Sequence, residues 1–121
     1  IPEERAHIAG VFINRLRRSI RLQSDPTIIY GIDRKGFLDR GLRRSEIEDA
    51  DNPYNTYQIN RLPPSPIAHP GRASIEAVLH PMETNDVYFV ADGSGGHVFA
   101  ETLAEHTKNV AAWRRIEAAN R

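Results

Sequence analysis

The sequence predicts a helix-rich α+β fold, a single domain in which one β-hairpin packs against helices. Apolar residues recur at helical spacing near both ends: Ile8, Phe12 and Leu16 in one run, Leu103, Val110, Trp113 and Ile116 in the other. Two short β-rich runs, Val87–Ala91 and His97–Ala100, flank Asp92-Gly93-Ser94-Gly95-Gly96, which has the composition of a hairpin connection. The length, 121 residues, suits one core and is too short for two comfortable ones.

Taken in order, the first helix is expected from about Pro2 to Arg18. Pro2 fits a first helical turn, Glu3 and Glu4 favour the positive end of the helix dipole, and Ala9 and Ile13 widen the Ile8–Phe12–Leu16 stripe. Asp25-Pro26 reads as an N-cap acid followed by proline at the first helical position, opening a short helix through Ile28, Ile29 and Tyr30 that Gly31 stops. Ser45 and Glu48 have capping-box spacing and predict a further short helix near Glu46 to Ala50.

From Asn52 to Gly71 the chain carries Pro53, Pro63, Pro64, Pro66 and Pro70, which exclude a regular helix or a central strand. A long ordered loop is expected there, pinned by Tyr54, Tyr57, Ile59, Leu62 and Ile67, and loops of that length in a small domain are often functional. A helix over Ser74–Leu79 ends before Pro81, the hairpin follows, and a last helix runs from about Thr102 to Ala119.

Composition narrows the function classes. Hydrophobic residues make up 40% and charged residues 26%, as in ordinary globular chains, and the formal net charge is +0, which gives no electrostatic case for nucleic acid. All basic residues but Lys35 and Lys108 are Arg, and the cluster of Arg15, Arg17, Arg18 and Arg21 is read as a solvated helix end. Cysteine is absent, excluding disulfides and thiolate metal sites, and no apolar run reaches the length of a membrane span. The chain begins with Ile1 rather than Met, so a fragment of a longer protein is expected.

The chemistry concentrates in Arg21-Leu22-Gln23-Ser24-Asp25-Pro26-Thr27, in Tyr54-Asn55-Thr56-Tyr57 and in Leu62-Pro63-Pro64. Amides, hydroxyls and aromatic faces in turn-forming sequence suit a concave surface for a hydroxyl-rich ligand. The plainer reading of each stretch is a loop whose polar groups cap helices and whose tyrosines plug a small core. Asp25 serves first as a helix cap and, beside Gln23, as a site candidate. His7, His69, His80, His97 and His106 have no metal-ligand spacing, and no metal site is expected. Asp92–Gly96 joins two strands rather than a strand and a helix, so it is a hairpin turn and not a phosphate cradle. Ser24, Ser65 and Ser94 lack a nucleophile-elbow context.

These stretches, as an ordered set, resemble the endolytic murein transglycosylase (YceG-like) family of bacteria. The matching residues are Val11-Phe12-Ile13-Asn14-Arg15-Leu16-Arg17, Arg21–Thr27 with Ile29-Tyr30-Gly31, Tyr54–Tyr57, Leu62-Pro63-Pro64, Ile67-Ala68 with Pro70-Gly71, and Tyr88–Gly93 with Gly95-Gly96-His97. The architecture is accordingly expected to be lysozyme-like in character. The resemblance implies cleavage of peptidoglycan glycan strands between N-acetylmuramic acid and N-acetylglucosamine, leaving 1,6-anhydromuramyl ends. One glutamic acid protonates the glycosidic oxygen and then takes the proton of the attacking muramyl 6-hydroxyl, chemistry that the resemblance implies needs no metal or diffusible cofactor.

In the family this glutamate sits in a Glu-Lys-Glu-Thr-like segment that falls before Ile1 here, so the chain is expected to be the C-terminal part of the domain, without its catalytic acid. Glu3 and Glu4 align with the following helix and are not substitutes. By analogy, Gln23 and Asp25 would lie near the acid, and Tyr54, Asn55, Thr56 and Tyr57 would contact the sugar or its N-acetyl group. Arg15 and Arg61 could meet lactyl or peptide carboxylates of the substrate, but are read by default as surface cations and left out of the site. The resemblance further implies a parent anchored by an N-terminal transmembrane helix, with this domain on the outer face of the bacterial inner membrane. Glycan strands are the expected partner, with cell-wall synthesis proteins as further ones, and neither nucleic acid nor membrane contact is expected from the chain itself. The alternative is a non-catalytic peptidoglycan-binding or cell-wall-complex interaction module, using Val11, Phe12 or the Trp113 face toward a partner.

Overall fold

The computed structural model describes residues 2–120. Its elements are a 3₁₀ turn (Pro2–Glu4), α1 (Arg5–Arg17), α2 (Asp25–Ile32), α3 (Arg44–Ile47), α4 (Arg72–Leu79), β1 (Tyr88–Ala91), β2 (His97–Ala100) and α5 (Leu103–Ala119). The mixed α+β class with one antiparallel hairpin is the class read from the sequence. The chain divides into two compact units, residues 1–14 with 71–121, and residues 15–70.

In the first unit the hairpin pairs Tyr88 with Ala100 through to Ala91 with His97. Its connection turns because Gly93 (φ 90°) and Gly95 (φ 91°) take left-handed conformations that cost a glycine nothing, while the Asp92 carboxylate accepts bonds from the Ser94 N–H and hydroxyl. α5 covers both strands, opened by Thr102, whose hydroxyl accepts the Glu105 N–H at 3.2 Å. His106 of α5 stacks on Tyr88 at 4.7 Å between ring centroids.

The opening of the chain is tied to the hairpin by polar groups as much as by apolar ones. The Glu4 carboxylate accepts the His97 backbone N–H at 2.9 Å and faces His97 Nδ1 at 2.9 Å. Its pKa is lowered, first by the His97 side-chain bond and then by the backbone bond. Three residues on, His7 Nε2 meets Asp86 Oδ2 at 2.7 Å while its ring stacks on Phe99. Asn14 Nδ2 donates to the carbonyls of Thr84 and Asp86 at 2.6 and 2.9 Å. The most buried side chains of α1 are Ala9, Val11 and Arg15, whereas Ile8, Phe12, Ile13 and Leu16 of the expected stripe are only half-buried.

The second unit holds α2, α3 and the long loop, around Leu22, Ile28 and Tyr54. α2 departs from expectation at both ends. Ser24 is the N-cap residue and Asp25 the first residue of the helix, which frees the Asp25 carboxylate from capping. Gly31 does not stop the helix; it lies inside it because the Asn52 side chain packs where a Cβ would stand, and the helix runs on to Ile32. α3 likewise starts earlier than Ser45-Glu48 suggested: Glu46 supplies the box, accepting the Arg43 N–H at 2.9 Å and pairing with both Nη atoms of Arg40 at 2.7 and 2.8 Å. The segment from Asn52 to Gly71 contains turns and bends but neither helix nor strand, and Leu62 stands 59% exposed rather than pinning it.

Two predictions follow from this packing. Gly31→Ala should displace Asn52 and cost about 1–3 kcal/mol in urea unfolding, the range of an overpacked site. The Arg40 bond, aided by the Arg43 N–H, lowers the Glu46 pKa from 4.5 to about 2. A carboxyl depressed in the folded state stabilises above its unfolded pKa and stops doing so as pH falls through the folded one. The stability gap between the natural chain and Glu46→Gln should therefore be full above pH 4.5 and shrink toward pH 2.

Candidate functional site

The candidate site belongs to the second unit and is built on the segment between α1 and α2. Leu22 is buried, Gln23 turns back through a left-handed conformation (φ 52°), and Ser24 returns to extended backbone before α2 begins. The other non-glycine with positive φ, Ser19 (φ 56°), follows the C-terminus of α1 as an ordinary helix ending, with the Ile20 N–H on the Arg15 carbonyl at 2.8 Å. Gln23 has no such explanation in a helix end.

What holds it is the loop residue Thr56. The Thr56 carbonyl accepts the Gln23 N–H at 3.2 Å, and its hydroxyl oxygen accepts the Ser24 N–H at 2.9 Å. The Thr27 hydroxyl lies 2.6 Å from the Ser24 carbonyl and 2.8 Å from the Thr56 hydroxyl. One arrangement uses each hydrogen once: Thr27 donates to the Ser24 carbonyl, and Thr56 donates to Thr27. Both threonines are buried, so this relay is shielded from water.

Asn55 lies below the surface as well, with 0% exposure. Its Nδ2 reaches the carbonyls of Glu46, Ile47 and Asp49 at 3.2, 3.0 and 3.0 Å, and its Oδ1 accepts the Tyr57 N–H at 3.0 Å. It brackets the end of α3 to the loop. Asn52 does the same for α2, donating to the Ile28 carbonyl at 3.1 Å and accepting the Tyr54 N–H at 3.0 Å. Tyr54 is buried edge-on to Tyr30, under the Arg34 guanidinium at 4.6 Å, with its hydroxyl 2.6 Å from Ser65 Oγ.

Three of the residues singled out from sequence reach solvent. Gln23 and Asp25 are exposed and Tyr57 is half-buried. The Tyr57 hydroxyl donates to Asp25 Oδ1 at 2.7 Å. Burial pushes the Tyr57 phenol up to about 12, reinforced by its bond to Asp25 and by the Asp25 charge, so it remains a protonated donor at neutral pH. Gln23, Asp25 and Tyr57 thus present an amide, a carboxylate and a phenol on one buried hydroxyl and amide framework. Asn55 and Thr56 form the framework, and Tyr54 packs beside it.

Arg15 is the residue that the sequence reading left on the surface. It is only 7% exposed, and its Nη1 reaches the carbonyls of Arg21 and Leu22 at 2.7 and 3.3 Å and Gln23 Oε1 at 3.4 Å. Burial corrects the default reading of Arg15 as a surface cation; the signal lay in its spacing of four from Val11, which places both on one helical face. Arg17, Arg18 and Arg21 are exposed, as a solvated helix end requires. Among the described residues no group of three or more His, Asp or Glu side chains gathers as a metal site.

A profile of the YceG-like family matches residues 1–112. The chain belongs to the YceG-like family. It is 45% identical over 105 residues to an endolytic murein transglycosylase of Bacillus subtilis, an alignment covering 87% of this chain and 28% of that protein. To an endolytic murein transglycosylase of Streptococcus pneumoniae it is 37% identical over 114 residues, covering 90% of this chain and 20% of the relative. A YceG-like protein of Listeria monocytogenes, known from its crystal structure, superposes with a TM-score of 0.73 at 42% identity, over 84% of this chain and 31% of that one. The chain therefore spans less than a third of the relatives it matches.

The geometry separates framework from surface in a measurable way. Asn55→Ala should remove the bonds to the Asp49, Ile47 and Glu46 carbonyls and to the Tyr57 N–H, and lower stability by on the order of 3 kcal/mol in denaturant unfolding. Tyr57→Phe removes one exposed hydroxyl bond and should cost about 1 kcal/mol or less.

Proposed function

We propose that this chain is part of a longer lytic transglycosylase that cleaves peptidoglycan glycan strands between N-acetylmuramic acid and N-acetylglucosamine, leaving 1,6-anhydromuramyl ends. The observation that carries this reading is the Gln23–Asp25–Tyr57 surface on its buried framework, in a chain of the YceG-like family whose curated relatives are named endolytic murein transglycosylases. An amide, a carboxylate and a phenol offer donors and acceptors to sugar hydroxyl and N-acetyl groups.

In the reaction a glutamic acid gives its proton to the glycosidic oxygen as the C1–oxygen bond breaks. The muramyl 6-hydroxyl oxygen then bonds to C1, and its proton passes to the carboxylate. The substrate supplies its own nucleophile, so a second catalytic carboxylate is not required, unlike in paired-carboxylate glycosidases. We place the general acid outside this chain, in the segment preceding Ile1. Glu4 fits that role poorly: its bonds to His97 hold it below the usual carboxylate range, whereas a general acid needs a raised pKa. The substrate places the working domain outside the cytoplasm. No described helix is long and apolar enough to cross a membrane, so an anchor would have to lie elsewhere in the parent.

Gln23 and Asp25 then serve to orient the acid or the muramyl N-acetyl group, with Tyr57 fixing the Asp25 carboxylate. Tyr54, Asn55 and Thr56 act on the glycan through the loop they hold. The test is glycan-strand digestion by the full-length protein, with mass spectrometry of the 1,6-anhydro ends. Gln23→Ala and Asp25→Asn should each lower turnover by roughly 10- to 100-fold, the scale of losing a well-placed orienting group, while the midpoint of thermal unfolding stays within a few degrees. Natural turnover in both variants would remove these residues from the site. Binding of glycan strands without anhydro products from the full-length protein would favour a binding module instead.

A further inference from the structure

Gln23 is the point at which the backbone of the second unit is least comfortable. A side-chain-bearing residue at φ 52° is uncommon and persists only where its surroundings over-determine it. Ser19 shares the conformation but ends a helix; Gln23 lies in a connecting segment and is held from two sides. On one side Thr56 takes its N–H and that of Ser24. On the other, the buried Arg15 guanidinium spans the carbonyls of Arg21 and Leu22 and the Gln23 side-chain oxygen. A helix end alone requires none of this, since an arginine there would gain more from solvent.

We infer that Arg15 is a positioning residue: its guanidinium locks the Arg21–Gln23 turn and orients the Gln23 side chain, so that the amide Nε2 faces outward. This rests on the placement of Gln23 in the glycan site proposed above. All three acceptors are met by Nη1, whose two N–H directions are fixed by the planar guanidinium, whereas a lysine ammonium is shorter and rotates freely. With Oε1 turned toward Arg15 at 3.4 Å, the Gln23 amide presents its Nε2 hydrogens as donors, which selects an acceptor such as an N-acetyl carbonyl or a carboxylate on the ligand. The site is therefore specific for an acceptor at this position, and the specificity originates in a residue that does not itself touch the ligand.

The test is a double-mutant cycle in the full-length protein with Arg15→Lys, Gln23→Ala and the pair, reading kcat and KM on glycan strands together with the unfolding midpoint. The expected result is that Arg15→Lys alone lowers kcat/KM at least tenfold. In the Gln23→Ala background it should lower it less than threefold, because the group it orients is already gone. Equal losses in both backgrounds, tracking a drop in stability, would mean that Arg15 only holds the fold and would overturn the inference. A crystal structure of the Arg15→Lys protein decides the matter independently of activity. Gln23 leaving its positive φ or turning its amide supports the assignment, even if the natural protein cleaves no glycan and the functional reading fails. An unmoved Gln23 with φ near 52° refutes it.

Discussion

The second unit depends on a pair of threonine hydroxyls. Thr27 and Thr56, 29 residues apart in sequence, share a hydrogen bond of 2.8 Å and between them satisfy the Ser24 N–H and carbonyl. Without that exchange the half-buried Ser24 N–H would lose its partner, and the loop would be hydrogen-bonded to α2 only through Asn52 and Tyr57. The consequence reaches beyond the helix. Thr56 also takes the Gln23 N–H, so the same residue that closes α2 dictates the backbone of the segment leading into it.

A unit with little regular structure must satisfy its backbone by other means, and here asparagine supplies them. Asn55 gathers carbonyls around the end of α3, Asn52 joins α2 to the loop, and each then accepts an N–H two residues further along its own chain. These side chains do the work that strand ladders do elsewhere, and their burial makes each donor costly to lose. Gly31 belongs to the same arrangement, since only a residue without a Cβ lets Asn52 reach the helix backbone. The first unit uses different glue: ion-pair geometries, Glu4 with His97 and His7 with Asp86, around the rings of Phe89 and Phe99.

Local chemistry was legible in the sequence wherever a signal is read by its immediate neighbours. The hairpin, its glycine-rich connection and the last helix fall where β-propensity, turn residues and helical spacing placed them. The start of α2 did not, because Asp25 and Ser24 are both good caps and only the fold decides which one turns outward. The same ambiguity runs through Tyr54-Asn55-Thr56-Tyr57. Amide and hydroxyl side chains serve a ligand or a buried backbone equally well, and sequence alone does not say which face of a loop is inside. Arg15 was hidden for a related reason: its helical spacing from Val11 marks the inward face, but arginine is ordinarily discounted from it.

These distinctions bear on how the surface cluster keeps its form. Each framework bond beneath it, from Thr27, Thr56, Asn52 or Asn55, is made by a neutral group, so none is lost to protonation. Tyr57, with its phenol pushed up to about 12, likewise keeps its hydrogen for Asp25 at neutral pH. Charge enters at Arg15, Arg21 and Arg34, whose guanidinium groups stay protonated, and at Asp25 on the surface. A site assembled this way holds one carboxylate in a fixed direction on bonds made by neutral groups.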